Sequence, residues 1–283
     1  MKIIGKICLV LLTFVLVSCS SKKDIDEVLN GNYNVVIIPD SLSHNAAELN
    51  SNHRKEILVL MFNNFEEDDI KDYFGLNDKQ YDEIINKLFS DGLIKKNEEG
   101  KFIPACMIID NEYRNLVIKD FSAMSKNFAE IVIDRSSKIK DTYAKIVSFK
   151  NVPFEKMSDF IFYEVMLNKW QLKNIEEKFI KGEPPRRGES RYYIALQEKD
   201  WLTNNSMAPQ INSEDDKKLF EMTGLVTDDL LNQLEYNRPL LVKSFLNSVY
   251  KDQISFREWF VWVYQFITVE TKSILLQRSY IKQ

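Results

Sequence analysis

Residues 77–103 read Asn77-Asp78-Lys79-Gln80-Tyr81-Asp82-Glu83-Ile84-Ile85-Asn86-Lys87-Leu88-Phe89-Ser90-Asp91-Gly92-Leu93-Ile94-Lys95-Lys96-Asn97-Glu98-Glu99-Gly100-Lys101-Phe102-Ile103. Asn77 followed three residues later by Gln80 is a capping-box start for a helix. Tyr81, Ile84, Ile85, Leu88 and Phe89 then recur at i, i+3, i+4, i+7 and i+8, which places them on one helical face. Gly92 stops that helix. Two short runs, Leu93 to Lys96 and Lys101 to Ile103, flank a turn from Asn97 to Gly100 and predict a β-hairpin.

Two more helices are predicted upstream. Ile57, Leu58, Leu60 and Met61 form a first face, and Glu66 to Phe74 form a second helix with Ile70, Tyr73 and Phe74 inward and Gly75 ending it. Three short helices followed by a hairpin resemble a winged helix-turn-helix domain, here over residues 53–109. In DNA-binding members of that family the third helix enters the major groove and the hairpin touches phosphates. The matching outward positions here include Asp78, Asp82, Glu83 and Asp91, with Lys79 and Lys87 as the only cations among them. Residues 53–109 hold eight Lys and Arg against twelve Asp and Glu, a net of −4. Phosphate contacts need cations, so the charge argues against nucleic acid and in favour of a scaffold or docking role.

Beyond this unit the chain predicts a mainly α (α+β) protein. Only eight Gly and seven Pro occur in 283 residues, too few for a fold built from tight turns. From 111 to about 148, Val117, Phe121, Met124, Phe128, Ile131, Ile139, Tyr143 and Ile146 form a stripe that predicts one long amphipathic helix, interrupted only by Arg135. Phe154 to Leu167 and Trp170 to Phe179 suit buried helices. Ser213 to Asp216, Thr227 to Asp229 and Ser255-Phe256-Arg257-Glu258 read as helix starts, the last as a capping box. Trp259, Trp262, Val263 and Phe266 share a face that reads as core. The expected organisation is residues 53–109 as the winged-helix-like unit and 110–283 as a mostly helical domain with a few short strands.

The densest cluster of Gly and Pro, Lys181 to Arg191, is also basic: residues 169–191 carry seven Lys and Arg against four Glu. Prolines stiffen a loop and lower the entropy lost on binding. Arg186, Arg187 and Arg191 could grip an anionic or polar group, with Tyr192 and Tyr193 for stacking. A solvated connection explains the same residues, and Tyr192 to Leu196 reads as a short strand.

The first eighteen residues have the parts of an export signal. Lys2 and Lys6 precede an apolar run from Ile7 to Val17. Eleven helical residues rise only about 16 Å, short of the roughly 30 Å hydrocarbon core. Leu16-Val17-Ser18-Cys19 resembles the lipobox of bacterial lipoproteins. That resemblance implies cleavage before Cys19 and acylation of Cys19, so residues 1–18 are a signal peptide and 19–52 a lipidated tether. Ser20 and the charged stretch Lys22 to Glu27 point to the outer membrane of the cell envelope. Within the tether, Val35 to Ile38 is apolar enough to add a strand or to pack on the domain behind.

Several chemistries lack a sequence basis. His44 and His53 stand nine residues apart in polar surroundings with no nearby cysteine, and Cys106 among Ile103, Met107 and Ile108 reads as a buried, inert thiol. No nucleophile elbow or phosphate loop is present, so neither a catalytic residue, a cofactor nor a metal is expected. Net charge is −4 for the chain and 36 − 42 = −6 without residues 1–18. The expectation is a membrane-anchored interaction or scaffold module for another envelope protein. The alternatives are a polar-ligand-binding lipoprotein using the 186–191 loop, an unrecognised hydrolase, and a tethered DNA-binding regulator. Mass spectrometry of the membrane-extracted protein should show a chain that begins at Cys19 and carries acyl mass; an intact Met1 or an unmodified Cys19 would overturn the anchor.

Overall fold

The computed structural model describes residues 24–39, 48–198, 209 and 211–282, so the leader, Cys19 and His44 lie outside the described residues. Helix α1 (Ile25–Leu29) and strand β1 (Asn34–Ile38) fall within the stretch expected to be tether. Val28, Tyr33 and Ile37 are buried there, so the folded body begins well before residue 52. Their apolar side chains have a core to join, which a free tether would deny them.

Helices α2 (Arg54–Phe62), α3 (Glu67–Phe74) and α4 (Asp78–Ser90) precede the hairpin of β2 (Ile94–Lys96) and β3 (Phe102–Pro104), in the predicted order. Asn77 accepts from the Gln80 backbone and Gln80 returns the bond, completing the capping box. Gly75 caps α3 at φ +64°, a left-handed conformation that costs glycine little. Ile57, Leu58, Ile70, Tyr81, Ile84, Ile85 and Leu88 are buried as their spacing required. Tyr73 and Phe89 are not inward. Both are exposed, while their neighbours Phe74 and Leu88 in the same last turns pack on the core. The Tyr73 hydroxyl donates to Asp26 of α1 at 2.6 Å, and Phe89 packs edge-on against Phe102 of the hairpin.

Strand β4 (Met107–Ile109) leads into α5 (Asn111–Asp134) and α6 (Ser136–Tyr143). These replace the single helix expected over 111–148. The chain breaks at Arg135, whose guanidinium reaches sideways to Asp229 at 2.8 Å. Next come α7 (Phe154–Asp159), a π-helical segment (Phe160–Val165), α8 (Lys169–Ile175) and a second π-helical segment (Glu176–Ile180). A small hairpin of β5 (Arg186–Arg187) and β6 (Ser190–Arg191) precedes β7 (Tyr193–Gln197). Helices α9 (Ser213–Tyr236), α10 (Arg238–Leu246) and α11 (Phe256–Gln277) complete the mainly helical α+β fold. Thr227 to Asp229 do not start a helix. Thr227 lies inside α9, its hydroxyl donating to the Thr223 carbonyl and to Gln171.

The three-stranded sheet runs β1-β7-β4, with β7 antiparallel to β1 and parallel to β4. Side chains alternate across it. Tyr193, Ala195, Met107 and Ile109 enter one core, built on α5, α9 and α11, whereas Ile194, Leu196, Ile108 and Ile37 enter the other, under α2 to α4. The sheet is thus the wall that both cores share.

A buried ion pair crosses between them. Arg187, in β5, donates to the carbonyls of Gly92 and Ala105 beside the hairpin and to the carboxylate of Glu258 in α11. Glu258 was expected to close a capping box. Its backbone N–H does donate to the Ser255 hydroxyl, but its side chain turns to Arg187 instead. Burial pushes the Glu258 carboxyl up, and Arg187 opposes that shift. Removing one partner strands a buried charge, so Glu258→Ala should cost about 3–5 kcal/mol. Arg187→Met/Glu258→Leu should cost less than the sum of its single variants. Chemical denaturation reads both values; additive costs would show that the pair does not act as a unit.

Candidate functional site

The five residues singled out around the basic loop are not gathered into one site. Arg186 is exposed and its Nε donates to the Gly188 carbonyl at 3.3 Å. Arg187 is buried in the ion pair with Glu258. Tyr192 and Tyr193 are buried on opposite sides of the sheet wall, one in each core, and offer no stacking platform. Arg187 and Tyr192 line a cavity of about 380 Å³ beside Arg54, Lys87 and Asp91, whereas Arg191 reaches a separate and larger one. Its Nε pairs with Glu183 at 3.1 Å, and its Nη1 donates to the Pro184 carbonyl at 3.1 Å.

That cavity has a volume of about 700 Å³. Val36 and Ile38 of β1 form one wall, because alternation sends them to the face of the sheet opposite Ile37. Tyr163 and Glu164 come from the first π-helical segment, Glu176 from the second and Leu172 from α8 between them. Trp262 and Gln265, one turn apart on α11, form the inner wall. The widened turns of π-helices are frequent at functional sites, and here both such segments border the same space. Asn168 joins the first segment to α8 and donates to Glu164 at 3.1 Å.

The mouth is held by Arg257. Its guanidinium lies over Gly182 and donates to the carbonyls of Glu183 at 2.9 Å and Lys181 at 3.4 Å. A Cβ on Gly182 would come within 2.0 Å of that guanidinium, so a side chain there would displace Arg257. Glu176 is half-buried, and burial raises its carboxyl above the ordinary range, opposed by Tyr193 and Arg257. The Tyr193 hydroxyl faces Glu176 without forming a well-aligned hydrogen bond, and burial together with that carboxylate pushes its phenol up.

Two donors enclosed behind the cavity are unsatisfied. Trp262 Nε1 and Gln265 Nε2 are buried and have no hydrogen-bond partner. Leaving a buried donor unmade costs about 1–3 kcal/mol, so such groups in a native structure call for an explanation. The aromatic spacing of α11 read as core, and Trp262 is indeed fully buried. The signal passed over was polar rather than aromatic. Glu258, Gln265 and Lys272 recur every seven residues along one buried stripe of α11. Glu258 is paired to Arg187, and Lys272 is paired to Asp159 at 2.7 Å. Gln265, between them, lines the cavity, while its amide nitrogen is enclosed and has no hydrogen-bond partner.

Elsewhere, the Cys106 thiol is fully enclosed and pushed up by burial to about 12, so it is inert as a nucleophile. The His53 ring stacks on Phe74 at 4.4 Å. Among the described residues, no group of His, Cys, Asp and Glu is placed to hold a metal ion. No protein-family model, curated protein or solved structure matches the chain.

Proposed function

We propose that this chain is a lipid-anchored protein of the bacterial cell envelope that binds a small ligand of mixed polarity in the cavity between β1, α8 and α11. The observation that carries this reading is the cavity of about 700 Å³ itself, with Val36, Ile38, Tyr163 and Leu172 as apolar walls and Asn168, Glu176 and Arg191 as polar groups. Largely apolar walls with a few convergent polar groups are the ordinary construction of a ligand site. The lipobox-like Leu16-Val17-Ser18-Cys19 supports the anchor. Among the described residues no helix is long and apolar enough to cross a membrane. The outward face of α4 supports a role away from nucleic acid, since Asp78, Asp82 and Glu83 are exposed there while Lys87 is tied to Asp91 at 2.7 Å.

Detergent-solubilised full-length protein should show saturable rises in melting temperature with members of a small-molecule library. A ligand at 100 times its Kd stabilises by about 2.7 kcal/mol. Val36→Trp, which fills the cavity from its strand wall, should abolish those shifts while leaving circular dichroism unchanged. Shifts that persist in the folded variant would place binding elsewhere and overturn the reading.

A second reading, docking of another envelope protein, is favoured by one surface feature. Tyr236 is 83% exposed and Val249 63%, with Leu240 and Leu246 also exposed between them. Leu116 adds to this patch across a groove that it shares with Val249. Exposed apolar side chains gathered on one stretch of chain are the kind of surface that interaction sites use. A photo-reactive residue at Leu246 should give a discrete cross-linked species in cells, lost in Tyr236→Ser/Val249→Ser. The same species from the double variant would exclude this surface.

A further inference from the structure

We infer that the ligand is a cationic amphiphile, an alkyl or aryl amine whose ammonium group sits against the Glu176 carboxylate and whose apolar body lies along the β1 wall. This inference rests on the cavity being a ligand site.

Glu176 is a polar group that the fold leaves open. It begins the second π-helical segment and lines the cavity. Neither of its carboxylate oxygens is enclosed, and neither takes a well-aligned hydrogen bond. Arg257 eases its charge from nearby, yet the Nη atoms of Arg257 are given to the Glu183 and Lys181 carbonyls and form no ion pair with Glu176. A half-buried carboxylate has lost part of its hydration, so a counter-ion brought to it gains more than one at the open surface. Glu164, on the preceding π-helical segment, is half-buried too and adds a second negative charge to the same lining.

The cations of the lining do not offset these two carboxylates. Arg191 is exposed and pairs with Glu183 at 3.1 Å. The Lys173 ammonium lies 5.0 Å from the Phe220 ring centroid and that of Lys169 lies 5.6 Å from the Trp170 centroid, and neither ring borders the cavity. Both lysines are exposed, so water and salt screen their fields. An anionic ligand would bring a third negative charge to Glu164 and Glu176 and would gain only exposed partners, which contribute little. A neutral polar head would find the Asn168 amide nitrogen already given to Glu164. An ammonium group carries three donors and no acceptor, and it can meet the open Glu176 oxygens.

The apolar walls decide the rest of the ligand. Val36, Ile38 and Leu172 present hydrocarbon to the same cavity. Such walls gain by covering an alkyl or aromatic body in proportion to the apolar area removed from water. A polyamine or an amino sugar would leave its further polar atoms unpaired along them. One positive charge on an apolar body matches the lining at both ends.

Three probes of equal chain length separate the cases: hexylamine, hexanamide and hexanoate, titrated into full-length protein at neutral pH by calorimetry. Hexylamine, protonated there as a lysine side chain is, is expected to bind at least ten-fold more tightly than either of the others, and Val36→Trp should abolish its binding. Glu176→Gln keeps the shape of the side chain and removes its charge. It should weaken hexylamine at least ten-fold while hexanamide still binds, which also reports a folded cavity. Hexanoate or hexanamide binding as tightly as hexylamine, or Glu176→Gln leaving hexylamine unchanged, would overturn the inference. Should Glu176→Gln bind neither probe, the ranking of the three probes on the unaltered protein decides by the same criterion. Failure of hexylamine alongside library ligands that Val36→Trp displaces would refute the ligand class and spare the cavity. Failure of every probe and every library compound would remove the cavity reading itself, and the inference with it.

Discussion

Strand β7 has no solvent face. Every residue from Tyr193 to Gln197 is buried, and successive side chains enter different cores, so the strand belongs equally to the helical layer above it and the helix-and-hairpin unit below. A sheet with both faces covered suits a continuous apolar run rather than an alternating one, and Tyr193-Ile194-Ala195-Leu196 is such a run. Because the side-chain period is two, a one-residue slip of β7 would exchange the contents of the two cores. The antiparallel pairing with β1 and the parallel pairing with β4 hold its register from both sides. The cavity depends on the same register, since Val36 and Ile38 face it only while Ile37 faces the opposite core.

The Arg187–Glu258 pair locks the arrangement across that wall. Both residues are nearly enclosed, and the arginine also serves two backbone carbonyls that the hairpin region would otherwise leave without these donors. A buried pair of this kind contributes little net stability compared with apolar packing, but loss of either partner is severe. It ties the small β5–β6 hairpin to α11. The same seating carries Glu183 and Pro184 to the cavity mouth, where Arg257, next to Glu258 in the chain, holds the Lys181 and Glu183 carbonyls. Two neighbouring residues of α11 thus couple domain packing to the shape of the site.

Helix α11 shows how one element serves both purposes. Its aromatic residues pack along α5 and fill the larger core, as helical spacing demands. Its buried polar residues mark its contacts: Glu258 meets the hairpin, Lys272 meets Asp159 with the Tyr163 ring beside it, and Gln265 between them meets the cavity.

Local chemistry was legible in the chain. Asn77 and Gln80 announced the start of α4, Gly75 the end of α3, and the absence of Gly and Pro from long stretches announced a mainly helical protein. Those features act within one or two turns, so residue spacing alone determines them. The site was not legible in that way. The basic loop drew notice for its composition, yet of its three arginines one points to solvent, one is consumed by Glu258 and one is paired at a mouth that it does not itself create. Arg187 and Glu258 are separated by 71 residues, and β1 meets β7 across more than 150. No local pattern encodes such separations. Whether a polar side chain on a buried face finds a partner or a cavity depends on what the rest of the chain brings opposite it, and only packing decides that.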